Sequence, residues 1–194
     1  MDYSGINYDY NDNVYLVTNM KPEGSGPLLH RLDVGASSNY TDSIGRVWRP
    51  DTGLFSPSTA PAEGTNSTQA ITNTPDDPIY RTYRGNVGND PLDQRVLSYA
   101  LPTGTGTRVD LRLHFAERAS TNNAVGKRVF DILAEGGLLV DNFDIFARTG
   151  AINEAYQLAL NDIAVSDGTL NLVFKTEVDY ASIAGIEVYC RAGC

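Results

Sequence analysis

Arg108-Val109-Asp110-Leu111-Arg112-Leu113-His114-Phe115 is the stretch on which the fold turns. Val109, Leu111, Leu113 and Phe115 alternate with Asp110, Arg112 and His114. A period of two is that of a strand with one face in a core and the other in water, so a half-buried strand is expected here. Downstream, Ile163-Ala164-Val165 and Thr169-Leu170-Asn171-Leu172-Val173-Phe174 flank Asp167-Gly168. An Asp-Gly pair tolerates the positive φ angles of a tight turn, which predicts a β-hairpin. Further strands are expected over Leu28 to Val34, Arg95 to Leu101, Val129 to Leu133, Leu138 to Ile145 and Ser182 to Tyr189. Gly, Pro or Asn interrupts every longer window before a helical apolar stripe can form. Short strands separated by turn clusters predict an all-β chain folded as an antiparallel β-sandwich.

The 194 residues suffice for one domain with an appendage. Lys+Arg 15 against Asp+Glu 24 gives a net charge of −9, and no segment gathers the basic residues. Such a surface repels phosphate backbones, so nucleic acid and anionic membranes are poor partners. No run of about 18 apolar residues offers a membrane insertion. The first residues, MDYSGINYDYNDNVYL, carry neither the basic nor the apolar region of a signal peptide.

Two Asn-x-Ser/Thr sequons, at Asn39 and Asn66, fall in polar stretches and make both asparagines candidate glycosylation sites. Cys190 and Cys194 stand at the C-terminal end as Cys-x-x-x-Cys. They pair with each other or take partners from another segment, and a zinc site would need two more ligands. Together these features favour an oxidising compartment, extracellular or the lumen of the secretory pathway. Residues 1–27 read as an arm or linker rich in Tyr, Asn, Asp and Gly, 28–190 as the domain and 191–194 as a tail. Ser56 to Pro78, crowded with small and polar residues, reads as a long surface loop without a packed element.

Chemistry is sparse. His30 and His114 lie far apart in sequence, each within an expected strand. Neither a nucleophile elbow, a His-x-x-x-His pair nor a Walker loop is present. Gly104-Thr105-Gly106 precedes a strand and opens no helix, so it is no dinucleotide fingerprint. Carboxylates are plentiful, among them Glu117, Asp131, Asp141, Asp144 and Asp179, but sequence does not pair any two as acid and base. The oxygen-rich run Asp9-Tyr10-Asn11-Asp12-Asn13 lacks the glycine and terminal glutamate of an EF-hand. No catalytic activity, cofactor or metal is expected. Eleven Tyr, several in polar loops or at strand ends, suit a wet binding surface, since each ring carries a hydroxyl.

The order of motifs resembles the malectin and malectin-like family of carbohydrate-binding domains. Leu32-Asp33-Val34-Gly35-Ala36 stands at the family's opening strand and turn, and the segment from Asp42 through Gly45 and Trp48 to Asp51 resembles its Asp/Gly/Trp/Asp signature. Ile79-Tyr80-Arg81-Thr82-Tyr83-Arg84 and Leu111-Arg112-Leu113-His114-Phe115-Ala116-Glu117 match the next two steps. Gly126 to Ile132, Asn142-Phe143-Asp144-Ile145 and Ile183 to Val188 complete a series that spans Leu28 to Val188.

The resemblance implies a jelly-roll type of β-sandwich that binds carbohydrate without catalysis through loops at one end. Such domains also form plant receptor-kinase ectodomains, some of which bind peptides or proteins. The family's ligand-binding aspartate falls on Asp179, with Tyr180 beside it. Its loop aromatics fall on Ala119, Ser120 and Gly85, where no ring stands. Replacement contacts are expected from Tyr83 and Arg84, or from Arg118 and Asn122. Glu117 and Arg84 also read as pins that hold loops through charged hydrogen bonds, and Trp48 reads as packing. The alternative is a structural or protein-interaction module that has lost sugar binding and engages neighbouring domains or subunits through the arm.

Overall fold

The computed structural model describes residues 26–57, 59–64, 68–85 and 95–194. Most of the arm, with its 9–13 run, and the sequon residue Asn66 lie outside the described residues. The expected all-β architecture is present. One sheet is built from β1 (Leu28–Asp33), β2 (Tyr40–Thr41), β3 (Val47–Pro50), β8 (Thr107–Ala116), β11 (Ala155–Val165) and β14 (Gly185–Ala192), in the order β11-β8-β14-β1-β3-β2. The second holds β4 (Phe55–Ser56), β7 (Val96–Gly104), β9 (Val129–Ala134), β10 (Gly137–Phe143) and β12 (Gly168–Val178), ordered β10-β9-β12-β7-β4. A small third sheet, β13-β6-β5, joins β5 (Ala62–Glu63), β6 (Tyr83–Gly85) and β13 (Ser182–Ile183).

Consecutive long strands mostly change sheet, which is the jelly-roll habit. Asp167-Gly168 shows what this does to a sequence signal. It links β11 to β12, but β11 pairs with β8 while β12 pairs with β7 and β9. The expected hairpin is therefore a corner between sheets. Gly168 supplies the φ of +93° that the turn requires, and Thr169 donates its backbone N–H to Asp167 at 3.0 Å.

Inward residues of both sheets interdigitate. Leu111, Leu113 and Phe115 of β8 meet Ile132 of β9, Leu172 and Phe174 of β12 and Tyr99 of β7 in one core. Phe115 lies 4.8 Å from Phe143 and 6.0 Å from Phe130, centroid to centroid. Each such ring contributes roughly 1.5–3 kcal/mol through burial.

β8 corrects the half-buried expectation, because its outer face is covered too. Trp48, Ile71, Ile79, Tyr80, Ala116, Ala155 and Ala184 form a second core there. Beneath them His114 meets the Tyr80 hydroxyl through Nδ1 at 2.8 Å and the Glu187 carboxylate through Nε2 at 3.3 Å. Burial opposes the Glu187 charge, yet His114, Tyr189 and Arg31 hold its pKa down to about 2. The same cover corrects the reading of Ser56 to Pro78 as a loop without packed elements. Ala60 and Ile71 are buried, β5 pairs with β6, and α1 (Asp77–Arg81) begins within it. At the other corrected boundaries, the expected strand to Ile145 stops at Phe143. Asp144 then caps α2 (Ile145–Thr149) by accepting from the Ala147 N–H at 3.0 Å. Ser182 to Tyr189 splits at Ala184 into β13 and β14, and β14 takes in residues assigned to the tail. Cys190 and Cys194 are disulfide-bonded to each other.

Asp33 carries a pH prediction. It is 4% exposed, and burial pushes its pKa up to about 7, with the Thr82 hydroxyl pulling back and Asp51 adding to the rise. A carboxyl raised above its unfolded value near 3.8 gives stability that is complete below that value and lost as pH climbs through 7. Asp33→Asn keeps an acceptor for Thr82 and removes the loss. Its Tm is expected to equal the parent's near pH 4 and to exceed it at pH 8 by the equivalent of up to about 4 kcal/mol. Thermal unfolding across this range checks it, and a pH-independent difference between the two proteins contradicts it.

Candidate functional site

Strand pairing gathers the candidate residues at one end of the sandwich. Val178, at the end of β12, pairs with Val129, at the start of β9. The 179–181 and 117–128 connections therefore leave the sheets together. Ser182 and Ile183 pair with Gly85 and Arg84, which brings β6 alongside.

Asp179 adopts a left-handed φ of +64°, a conformation that aspartate tolerates better than most residues. Its side chain is 33% exposed. The Asn122 amide donates to one carboxylate oxygen at 2.9 Å, and the Arg128 guanidinium stands 3.4 Å from the same oxygen. Arg95 donates to the Asp179 carbonyl at 3.0 Å.

Arg128 is the hub of this end. It donates to Glu117 at 2.7 Å and to the Tyr180 carbonyl at 2.8 Å, and it lies 3.9 Å from the centroid of the Tyr180 ring. Burial works against its charge, but Glu117 and Tyr180 together overcome that and raise its pKa. Glu117, 1% exposed, also accepts from the Ala119 N–H at 2.9 Å and so shapes the loop. Tyr180 packs over Gly85, where an added Cβ would lie 2.5 Å from the ring. Gly85 is thus needed for close approach. Burial first, then the neighbouring Tyr180, push the Tyr83 phenol up. Arg118 is half-buried, donates to the Tyr80 carbonyl at 3.2 Å, and has its pKa lowered chiefly by burial.

Asp179, Tyr180, Tyr83 and Asn122 therefore come together, with Arg118 beside them on the 117–128 connection. Arg84 does not. It is 7% exposed, donates twice to Asp51 at 2.9 and 2.8 Å and once to the Ala60 carbonyl at 2.6 Å, and covers the Phe55 ring. Its donors are turned inward, so it is corrected from contact residue to pin. Sequence reasoning placed Arg128 within a motif and missed its role, because its partners are 11 and 52 positions away. Asn39 is exposed just before β2, as a glycan acceptor must be.

The assembled end is a polar surface patch. Two clefts lie elsewhere, one of about 290 Å³ beside Trp48, Tyr80 and His114 and one of about 350 Å³ between β1 and β3. Chemically, the patch offers the fixed Asp179 carboxylate and the half-buried Tyr180 phenol, with the buried Asn122 amide and Tyr83 phenol behind them. Glu117 is bound into its ion pair, and among the described residues no three acidic, His or Cys side chains converge as a metal site.

The profile of the malectin domain matches residues 28–186. The chain belongs to the malectin domain family. This malectin domain is 36% identical over 99 residues to Receptor-like protein 4 of Arabidopsis thaliana, covering 50% of this chain and 16% of that protein. It is 35% identical over 66 residues to a probable LRR receptor-like serine/threonine-protein kinase of the same plant, covering 32% of this chain and 6% of the kinase. Among solved structures, the extracellular domain of ANXUR1 from A. thaliana superposes with a TM-score of 0.73 at 20% identity, over 86% of this chain and 49% of that one. FER in complex with the plant peptide RALF23 and LLG2 gives 0.71 at 22%, over 84% and 48%. A Bacteroides uniformis β-glucuronidase gives 0.64 at 16%, over 84% and 18%, a likeness of fold alone. The malectin domain thus spans about half or less of each relative. Both curated relatives carry receptor-like names, and the ANXUR1 match is to an extracellular domain.

Proposed function

We propose that the Asp179 end of this malectin domain binds a hydroxyl-rich ligand, a glucose-containing or related glycan, as one module of a larger extracellular protein. The observation that supports this reading is a partly exposed carboxylate fixed between the Asn122 amide and the Arg128 guanidinium. A carboxylate so held accepts a pair of sugar hydroxyls without first losing side-chain freedom. Tyr180 has one face on Arg128 and packs against Gly85, so the contacts are hydrogen bonds more than stacking, and affinity is weak, roughly micromolar to millimolar. Multivalent display compensates.

Isothermal titration with soluble gluco-oligosaccharides tests the reading. Asp179→Ala is expected to weaken binding about 10–100-fold while leaving Tm within a few degrees, since it removes charged hydrogen bonds at a partly exposed site. Absence of binding to every saccharide at millimolar concentration counts against it.

A second reading, recognition of a peptide or protein, has its own support. Ala119, Ser120 and Gly85 leave the loops short of rings, and the related FER was solved with a peptide and a protein partner. In that reading the arm, residues 1–27, contributes to assembly with neighbouring domains or subunits. Loss of assembly on removing the arm, with saccharide binding absent, favours it.

A further inference from the structure

A different surface carries a recognition site of another kind. β1 and β3 run parallel, but their ladder joins only Leu32 to Arg49 and Asp33 to Pro50. Upstream the strands diverge. Residues 28–31 keep β14 on one side and, among the described residues, have no strand on the other. The far side of β3 is already taken by β2. What opens between β1 and β3 is the cleft of about 350 Å³, and its wall includes an unpaired strand edge.

The lining chemistry is specific. Leu28 and Val47 are 41% and 45% exposed, an aliphatic rim on either side. Every charged or titratable residue in the wall is basic: His30, Arg31 and Arg49. Arg31 is committed to Glu187 at 2.6 Å and to the Tyr189 hydroxyl at 3.1 Å, and the His30 ring meets the Pro102 carbonyl at 2.7 Å. Arg49 is exposed and forms no ion pair among the described residues. In a chain of net charge −9, this is a slot whose uncompensated charge is positive.

We infer that the slot receives an extended acidic segment of a partner protein, added as a strand to β1. Backbone groups of the segment pair with residues 28–31, an acidic side chain meets Arg49, and alternate aliphatic side chains lie on Leu28 and Val47. Strand width selects an extended chain, because a helix about 10 Å across does not enter between diverging strands. Charge complementarity selects acidic over basic segments. This site is separate from the Asp179 end and independent of the glycan reading.

The test uses the full chain and a capped seven-residue peptide alternating Val and Glu, with two controls, one with Lys for Glu and one N-methylated on alternate amides. Fluorescence anisotropy is expected to show saturable binding of the acidic peptide and none of either control. Arg49→Glu should weaken the acidic peptide at least about tenfold and admit the Lys peptide, a charge swap that a merely unfolded variant does not produce. Asp179→Ala should leave both results unchanged. Hydrogen exchange at those amides of residues 28–31 that point away from β14 should be fast in the free chain and slow in the complex. No binding at 1 mM, equal binding to Arg49→Glu, or slow exchange at the slot-facing amides of 28–31 before any peptide is added overturns the inference; slow exchange there would mean that the chain fills its own slot.

Discussion

Arg128→Met is expected to cost about 3–5 kcal/mol of stability and to abolish ligand capture at the Asp179 end. The guanidinium lies inside the end of the sandwich, joining Glu117 of the 117–128 connection to the Tyr180 carbonyl and ring of the 179–181 connection. Methionine fills similar space but leaves Glu117, among the described residues, with the Ala119 N–H as its remaining donor, a buried charge without its counter-charge. The same change frees Asp179 from one of its two side-chain partners. Urea unfolding measures the loss. Adding Glu117→Gln should restore part of it, because the stranded charge is then gone. A loss below about 1 kcal/mol, or no recovery in the double variant, contradicts the role assigned to Arg128.

Arg84→Met should be as costly, about 3–5 kcal/mol, for a related reason at a different place. Asp51 is fully buried, held by the Arg84 fork, by the Tyr99 hydroxyl at 3.0 Å and by the Gly35 N–H at 3.3 Å. Without the fork, the buried Asp51 loses its two charged hydrogen bonds and keeps, among the described residues, only the Tyr99 hydroxyl and the Gly35 N–H. Arg84 also caps the Ala60 carbonyl and covers Phe55, so three segments lose their common tie. Arg84→Lys keeps a charge but cannot make the two parallel bonds, and an intermediate loss is expected. If Arg84→Met unfolds at the parent's urea midpoint while ligand binding falls, Arg84 is a contact residue after all.

These costs arise between residues distant in sequence, and that sets what the sequence could reveal. Alternation in Arg108 to Phe115 announced a strand because the inner face is apolar throughout. The second core over its outer face was invisible, since Trp48, Ile71 and Ile79 arrive from segments with no period of their own. Asp167-Gly168 signalled a turn correctly, but a hairpin and a sheet-changing corner need the same φ, and pairing of β11 with β8 decides between them. Elements of two or five residues, such as β5 and α1, are too short to carry a pattern. At the site, Asp179, Asn122 and Tyr180 were reached through the family resemblance. Arg84 is separated from them by its bonds to Asp51 and Ala60 and its cover over Phe55, and no local feature of Arg84 reports those partners. Arg128 was overlooked because a charge between Lys127 and Val129 looks like a solvated strand end until Glu117 is brought beside it.

The most direct measurement of the central claim is an NMR titration of the full chain with a gluco-oligosaccharide, following backbone and Asn side-chain amides. Saturable shifts centred on Asn122, Asp179 and Tyr180, lost in Asp179→Ala, are the predicted result. An unchanged spectrum at millimolar ligand, or shifts confined to residues 28–32 and 47–49, would contradict the account.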